Sequence, residues 1–338
     1  MLSKGAYVQV FAATVNAPGE EPRVGRIELP PRDSGMTLIA VHAAPLNPLD
    51  LLIASGTFHS ARHETAYVPG SECVGVVIES DRFVTGSLVY AECRASPASP
   101  GAIAEQALAA DDNILVLPDG IDPVQAAAIG NSGVAAFMPL IETAGMQAGE
   151  TVLILGATGA VGQLAVQVAH ARGAGRVIGV GRDRTALERL TSLGADAIVE
   201  LRPDETVDAL ASRLGEAGAA DVVLDCLYGA PFEAAVLSCA PRARIVNVGH
   251  SSSPTASIPA GLLRGKQLTL TGFAGLHTTF LHKQSALTWL WAALAEGTLD
   301  VNVTTVSLEE LPTAWRGQAL SPHAKYVVVP SRRNESGK

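Results

Sequence analysis

Residues 151–162 have the sequence TVLILGATGAVG, in which a run of apolar and β-branched residues leads into a turn of small residues. Residues 163–169, QLAVQVA, are typical of a helix. A strand, a tight turn and a helix N-terminus in this order form the setting for a dinucleotide diphosphate, because backbone N–H groups and the positive end of the helix dipole face it. The pattern predicts that the diphosphate contacts Ala157, Thr158, Gly159, Ala160, Val161 and Gly162.

A second strand is predicted at residues 176–180, and the residues after it are expected to bind the ribose of the nucleotide. An NAD-specific site usually has an acidic residue at this strand end, whereas this chain has Gly181 followed by Arg182 and Arg184. The glycine leaves room and a guanidinium pairs with a 2′-phosphate, so the sequence favours NADPH. Two alternatives stay open: Asp183 could supply the acid for NADH, and both arginines could be solvated charges at a helix start.

The central part of the chain alternates between predicted strands and helices, which is typical of a doubly wound parallel sheet. Strands are predicted at residues 152–155, 177–180, 197–199, 222–225, 244–248 and 268–271, with helices that include 184–193 and 206–214. The flanking parts contain short strands at 37–41, 74–78, 303–306 and 325–329, and a helix at 283–295. The predicted α/β fold therefore has a Rossmann domain, residues 123–274, inserted into a β-rich domain of residues 1–122 and 275–338.

The composition limits the classes of function. The chain has 338 residues, of which 48% are hydrophobic and 33 are glycine, which is enough for two domains. Its net charge of −9 gives no reason to expect nucleic acid or an anionic membrane as a partner. The best apolar run, residues 286–294, is half of the ~18 residues that a membrane helix needs, and the N-terminus lacks the apolar core of a signal peptide. The four cysteines have no C-x-x-C spacing, so we expect buried, reduced thiols in a cytoplasmic protein.

Several segments, in this order along nearly the whole chain, resemble the medium-chain dehydrogenases/reductases and, among them, the zinc-independent quinone oxidoreductases. Besides the glycine turn, these segments are NPLD (47–50), PGSECVG (69–75), GSLVY (86–90), GAIAE (101–105), LPDG (117–120), LGAD (193–196), VNVG (246–249) and AK (324–325). The resemblance implies a GroES-like fold for the β-rich domain, hydride transfer involving NADPH and a homodimer. Edge strands of the cofactor domain are the candidate dimer contacts.

The segment Gly70-Ser71-Glu72 decides the subclass. Zinc alcohol dehydrogenases of the family have Gly-His-Glu here, and this histidine binds the catalytic zinc together with two cysteines. The four closely spaced cysteines of the structural zinc site are also missing, so we expect no metal. His59 and His63 lie in a turn-rich stretch without nearby cysteines and are expected to be surface or cleft residues. Without a Lewis acid, the acceptor must already be electron-poor, as a quinone or an α,β-unsaturated carbonyl is.

The resemblance also implies candidate residues around the reacting groups. Asn47 and Asp50 match the family's cleft motif and could orient the carbonyl or the nicotinamide ribose, although Asx side chains beside Pro48 also cap turns. Many relatives have a tyrosine where this chain has Phe58, which can stack on a flat substrate but cannot protonate it. The alternative proton donors are water, His59, His63 and Tyr67.

Further cofactor contacts are expected from residues outside the glycine turn. The predicted set is Gly133, Val248, Gly249, His250, Phe273 and Lys325. Lys325 stands in the family's C-terminal position near the cofactor, and the alternative is that it is a surface charge.

Two other functions stay open beside a reductase of quinones or α,β-unsaturated carbonyls. An enoyl-thioester reductase, for acyl-CoA or acyl-carrier substrates, would need a basic groove, and no such stretch is evident at a net charge of −9. A non-catalytic NADPH-binding sensor would fit the absence of the tyrosine at the position of Phe58.

Overall fold

The computed structural model describes residues 7–58, 65–96 and 99–330, and these form two compact units. The first unit contains the described residues up to 130, residues 280–284 and the described residues from 302 onward. The second unit contains residues 131–279 and 285–301. Each unit buries its own apolar core.

The secondary structure follows the change of pattern along the sequence. The elements before residue 150 are β1 (Val8–Thr14), β2 (Arg23–Leu29), β3 (Met36–Pro45), α1 (Pro48–Ala54), β4 (Glu72–Glu79), β5 (Leu88–Glu92), β6 (Gln106–Ala110), β7 (Ile114–Val116) and α2 (Pro123–Met138). The next are β8 (Thr151–Leu155), α3 (Ala160–Ala171), β9 (Arg176–Gly181), α4 (Arg184–Arg189), β10 (Ala197–Glu200), α5 (Val207–Ala217), β11 (Val222–Asp225), α6 (Gly229–Ser238), β12 (Arg244–Asn247), α7 (Ala260–Lys266) and β13 (Thr269–Gly272). The last are α8 (Phe280–Ala295), β14 (Val303–Val306), α9 (Leu311–Ala319) and β15 (Lys325–Val328).

The first unit is built around β3. Its described strands form a sheet in the order β14-β15-β3-β4-β5-β7, and β6 also pairs with β3. Both β15 and β6 can pair with β3 because they pair with different parts of it. β15 pairs with Ala44 and Pro45 at the end of β3, beyond the residues of β3 that pair with β6. A Cβ added at Gly75 of β4 would lie 2.1 Å from the Ala40 carbonyl oxygen. Only glycine therefore permits this approach of β4 to β3.

The second unit is a parallel sheet. Its described strands have the order β10-β9-β8-β11-β12-β13, so the chain moves outward in one direction from β8 and in the other from β11. The predicted doubly wound fold is confirmed, and each of its six strands lies within one residue of the predicted bounds. The carboxyl ends of β8 and β11 meet at the point where the winding direction reverses, which is where such sheets bind ligands.

One helical segment is longer than any uninterrupted apolar run of the sequence indicated. In the described part of the chain, Pro123–Thr143, which is α2 continued by the π-helical turn Pro139–Thr143, is long and apolar enough to cross a membrane. The search for uninterrupted runs missed it because Gln125, Asn131 and Ser132 break the apolar sequence. In the most apolar 18-residue stretch of this segment, 72% of the residues are buried. Such burial is typical of the core helix of a globular protein.

Candidate functional site

The turn between β8 and α3 has the backbone geometry of a diphosphate site. Gly156, directly after β8, has a φ of +84°, a left-handed conformation that favours glycine. The Gly156 and Ala157 amides donate to the Val180 carbonyl at 3.0 and 2.8 Å, which fixes the turn against β9. Gly159 is the N-cap residue of α3, and no side chain caps this helix end. The N–H groups of the first helical turn therefore remain available to an anion.

The space around the turn fits a dinucleotide. A Cβ added at Gly159 would meet the Gly156 carbonyl oxygen at 3.7 Å and no closer atom of the described residues, so a ligand can approach this backbone. A Cβ added at Gly162 would lie 2.3 Å from the same oxygen, so glycine here lets α3 pack against the turn. Ala157 replaces the first glycine of the fingerprint, and its methyl group has room because Gly179 faces it without a side chain.

Gly181, at the end of β9, has a different role from the one that the sequence indicated. A Cβ added there would lie 2.8 Å from Cγ2 and 3.2 Å from Oγ1 of Thr158. The place that glycine was expected to leave open is thus filled by the Thr158 side chain. The packing still excludes an acidic side chain at this position.

The three charged residues after Gly181 differ in their contacts. Asp183 is the N-cap of α4, and its carboxylate accepts a hydrogen bond from the Ala186 amide at 2.8 Å. Arg184 forms an ion pair with Glu188 at 2.7 Å. Arg182 is exposed and forms no hydrogen bond or ion pair with the side chains of the described residues. Of the two arginines, Arg182 is therefore the one whose guanidinium is not already paired with a carboxylate of the described residues.

The loops after β12 and β13 border a cavity of about 390 Å³. It is lined by Asn247, Val248, Gly249, His250, Gly272, Phe273, Ala274 and His277. Four of these residues were predicted to contact the cofactor, and they come together because parallel neighbouring strands end at the same edge of the sheet. The Asn247 amide, which was not predicted, donates to Asp225 Oδ2 and to the Gly249 carbonyl, both at 2.7 Å. These bonds hold the loop after β12 in place.

The first unit contains five connected, buried polar residues, which we call the buried polar cluster: Asn47, Asp50, Glu72, Tyr90 and Lys325. None of them is more than 2% exposed. Asn47 Oδ1 accepts from Lys325 Nζ at 2.5 Å, and Asn47 Nδ2 donates to Glu72 Oε1 at 2.8 Å. Glu72 Oε2 accepts from the Tyr90 hydroxyl at 2.7 Å. Asp50 Oδ2 accepts from the Asn47 backbone amide at 2.8 Å, as expected for a residue in the first turn of α1.

Burial perturbs the titration of this cluster. Desolvation raises the pKa of Asp50 to about 7, although the hydrogen bond from the Asn47 amide and the Lys325 charge act in the opposite direction. Desolvation also lowers the pKa of Lys325, against the attraction of Glu72 and Asp50. The pKa of Tyr90 is raised well above its ordinary value by burial and by the neighbouring carboxylates. Burial therefore favours the protonated form of Asp50.

The other predicted site residues lie in different surroundings. Tyr67 is 6% exposed in the core of the first unit, where burial and the Asp50 charge raise its pKa. Phe58 is half-buried against the same core, and Gly133 is buried in α2. His59 and His63 lie outside the described residues. The catalytic and cofactor roles of these residues stay predictions.

Sequence reasoning assigned no role to Glu72 and Tyr90, although both lie in segments that carried the family resemblance. A signal was present, because each is a polar residue directly beside apolar residues of its strand. Such residues need a buried partner, and here they have each other. Their link to Lys325 could not be predicted, because Asn47, which joins them, is 278 residues away from Lys325 in the chain.

Within residues 7–58, 65–96 and 99–330, no group of three or more His, Cys, Asp or Glu side chains could hold a metal ion. The Ser71 hydroxyl, at the position of the motif histidine, accepts from Asn47 Nδ2 at 3.4 Å. This hydroxyl is thus part of the hydrogen bonding around Asn47.

Two protein families match the chain. Residues 33–119 match the family described as alcohol dehydrogenase GroES-like domain, and residues 160–293 match the family described as zinc-binding dehydrogenase. The chain is 36% identical over 201 residues to a quinone oxidoreductase of Sus scrofa, with 58% of this chain and 59% of that protein covered. It is 32% identical over 227 residues to a quinone oxidoreductase of Rattus norvegicus, with 65% and 67% covered.

The fold is shared with known structures. A crystal structure of a probable oxidoreductase from Mycobacterium abscessus has a TM-score of 0.81 and 27% identity, and the match covers 96% of this chain and 99% of that one. By sequence, however, the chain spans only about three fifths of the length of the Sus scrofa relative. The structural similarity thus extends well beyond the part that the sequence comparison aligns.

Proposed function

The chain belongs to the medium-chain dehydrogenase/reductase superfamily as a quinone oxidoreductase-like member, and we propose that it is an NADPH-dependent reductase of quinones or α,β-unsaturated carbonyls. The observation that carries this proposal is the helix end after the glycine turn, whose first N–H groups are not occupied by a side-chain cap. The names of the relatives support quinones as acceptors.

An acceptor panel tests the proposal directly. The protein is mixed with NADPH and, separately, with quinones, enals and enoyl-CoAs, and the absorbance of the reduced nicotinamide is followed. Oxidation with quinones or enals is expected. Oxidation with enoyl-CoAs alone would indicate an enoyl-thioester reductase, and tight NADPH binding without oxidation by any acceptor would contradict an enzymatic role.

The preference for NADPH rests on the residues after β9. Asp183, which could have bound the ribose hydroxyls of NADH, is instead engaged as the cap of α4. Arg184 is engaged by Glu188. The exposed Arg182 is left to pair with a 2′-phosphate, and an arginine is suited to this because its planar fork donates two parallel hydrogen bonds.

Replacing Arg182 by alanine is expected to weaken NADPH binding about 10–100-fold, because a charge-assisted hydrogen bond of about 1.5–3 kcal/mol is lost. NADH binding should change little. Arg184→Ala is the matched control, since Arg184 already pairs with Glu188, and it should affect NADPH much less. Both dissociation constants can be measured by fluorescence titration of the reduced nucleotides. Equal losses for NADPH and NADH in Arg182→Ala would place the 2′-phosphate elsewhere.

The residues of the chain suit a reaction that needs no acid or metal at the acceptor carbonyl. Bound NADPH would supply a hydride. Val248, Gly249 and Phe273 would hold the nicotinamide and exclude water in the cavity of the second unit. In the first unit, Asn47 is oriented by Lys325 and Glu72, so its amide is already engaged. The predicted contacts of Asn47 with substrate and of Lys325 with cofactor remain part of the proposal.

Independence from zinc gives a second prediction. The hydroxyl of Ser71 stands in place of the imidazole of the zinc-binding motif, and a neutral hydroxyl is a poor zinc ligand. We expect chelators to leave the NADPH-oxidation rate unchanged and elemental analysis to find less than one zinc per chain. Stoichiometric zinc, or loss of activity that returns when zinc is added, would overturn this part of the proposal.

The homodimer is proposed to form through β13. This strand ends the sheet, and all four of its residues are exposed. The amides of Thr269 and Phe273 donate toward β12 at Ala243 and Asn247, so by alternation the Leu270 amide points to the open edge. Leu270→Pro removes this donor and is expected to convert a dimer to a monomer in analytical ultracentrifugation, whereas Leu270→Ala keeps the amide and the dimer. A wild-type monomer would contradict the proposal.

The proposed compartment is the cytoplasm. All four cysteines are free thiols, three of them buried. Unpaired thiols are typical of a reducing compartment, which supports this assignment.

A further inference from the structure

The side-chain amide nitrogen of Asn247 faces three oxygen atoms. Asn247 Nδ2 lies 2.7 Å from Asp225 Oδ2, 2.7 Å from the Gly249 carbonyl oxygen and 3.5 Å from the Asp225 carbonyl oxygen. A carbonyl oxygen can only accept hydrogen bonds, so the donor to Gly249 must be the NH2 group of Asn247. An aspartate has the same shape but no such donor. Position 247 therefore requires an amide, because an ionised acid could not donate to both neighbours.

Asp225 is the buried partner of this amide. It is 0% exposed and lies at the end of β11. Its Oδ1 accepts hydrogen bonds from the backbone amides of Leu227 and Tyr228, both at 2.9 Å, and its Oδ2 accepts from Asn247. Tyr228 has a φ of +60°, which is rare for residues other than glycine. The Asp225 carboxylate thus fixes the loop after β11 with one oxygen and Asn247 with the other.

The two loops that this contact joins border different parts of the candidate cofactor site. The loop after β11 lies against the glycine turn, since a Cβ added at Gly156 would be 3.2 Å from Cys226 Cβ. The loop after β12 borders the cavity through Val248 and Gly249. A Cβ added at Gly249 would lie 3.1 Å from the Cys226 carbonyl oxygen, so the two loops also pack closely. Asn247 therefore links the turn proposed for the diphosphate to the cavity proposed for the nicotinamide.

We propose that Asn247 is a positioning residue for hydride transfer, and that it acts through the Gly249 carbonyl group by fixing the loop that borders the nicotinamide cavity. The inference rests on the proposed reductase function and names a residue on which its rate depends. The diphosphate and the 2′-phosphate are proposed to bind to other residues, so cofactor affinity depends mainly on those. The reacting end is more sensitive to placement, because an error of about 1 Å can slow a reaction ~100-fold. Asn247 should thus affect kcat more than NADPH affinity.

An exchange of the two side chains separates positioning from stability. Asn247→Asp alone places a second carboxylate against Asp225 and should destabilise the protein in urea unfolding. Adding Asp225→Asn restores one amide and one carboxylate, so the bond between positions 225 and 247 can form again and stability should return. The Gly249 carbonyl group then faces an oxygen instead of an NH2 group, and the two repel each other. The double variant is therefore expected to be stable but to lack the contact on which the inference depends.

Hydrogen–deuterium exchange of the protein without cofactor tests the loop directly. The backbone amides of Val248, Ser251 and Ser252 donate to the carbonyl groups of residues 225–227 at 2.8, 3.2 and 2.8 Å. We expect these amides to exchange ~10-fold faster in the double variant than in the wild type, the size of the loss of one hydrogen bond. Exchange at the wild-type rate in the double variant would overturn the inference, because Asn247 would then not hold this loop.

Steady-state kinetics with a quinone acceptor test whether the position of the loop matters to the reaction. The kcat of the double variant is expected to fall ~10–100-fold, while the NADPH dissociation constant stays close to that of the wild type. Deuterium at the transferred position of NADPH should slow the double variant more than the wild type, because hydride transfer becomes the slow step. A double variant with restored stability and the kcat of the wild type would show that the pair is merely structural.

Asp221→Asn is the matched control. It makes the same substitution directly before β11, at the other end of this strand, where Asp221 Oδ2 accepts a hydrogen bond from the Thr151 amide at 2.9 Å. An asparagine oxygen can still accept this bond. The kcat and the exchange of the loop after β12 should therefore match the wild type. A kcat that falls as far in Asp221→Asn as in the double variant would contradict a specific role of Asn247.

The experiments separate the inference from the function on which it rests. If no acceptor oxidises NADPH with the wild type, the reductase function fails, and the role of Asn247 in it fails too, whatever the exchange rates are. If the wild type is active but the double variant keeps its kcat, or loses NADPH affinity by the same factor as kcat, the function stands and the positioning role is overturned.

Discussion

Replacing Lys325 by methionine is expected to lower the free energy of unfolding by about 3–5 kcal/mol, one of the largest effects that a single substitution can have on this chain. Lys325 is 2% exposed, and its ammonium is the positive charge of the buried polar cluster. Methionine preserves most of the length of the side chain, so packing is largely retained and the loss reports on charge. Urea unfolding, followed by circular dichroism, measures this change. The comparison requires that the free energy of unfolding depend equally steeply on urea concentration in the variant and in the wild type.

A double variant separates charge from shape in this experiment. Adding Glu72→Gln to Lys325→Met removes the carboxylate that the single substitution leaves without a counter-charge, so most of the lost stability should return. A Lys325→Met protein as stable as the wild type at pH 8 would show that the ammonium is not needed to hold the cluster.

The order of strands and helices was predictable because of how parallel sheets are buried. Strands covered on both faces are short runs of apolar, β-branched residues, and β8, β9 and β11 have this composition. The glycine turn was equally clear, because its requirement for a left-handed Gly156 is local. α2 was less clear, since its buried polar residues interrupt the pattern that a search for apolar runs detects.

The details of the candidate site were harder to predict because they depend on contacts between distant residues. Lys325 reaches Asn47 because β15 pairs with the end of β3, and no pattern within either strand specifies that register. Similarly, Gly181 is explained by the packing of Thr158, which belongs to another loop. Asp183 is the exception. An aspartate directly before a helix is a typical N-cap, so its role could have been predicted from the sequence.

Replacing Gly162 by alanine is expected to damage both the fold and the cofactor site. The added Cβ would lie 2.3 Å from the Gly156 carbonyl oxygen and 2.5 Å from Ala157 Cα, and these are backbone atoms that cannot rotate away. α3 must therefore move off the turn, at a cost of about 1–3 kcal/mol in the free energy of unfolding, the size of other overpacking effects. The same movement displaces the helix N-terminus, so NADPH affinity should fall at least ~10-fold, as for the loss of a charge-assisted hydrogen bond.

Gly159→Ala is the matched control, because the two glycines serve different purposes in the same turn. Nothing in the described residues lies closer than 3.7 Å to a Cβ at position 159, and its φ of −78° is normal for alanine. The free energy of unfolding should therefore stay close to that of the wild type. NADPH affinity should nevertheless fall, since the methyl group stands where the diphosphate is proposed to approach the backbone. If Gly159→Ala binds NADPH as tightly as the wild type does, the diphosphate does not lie on this turn.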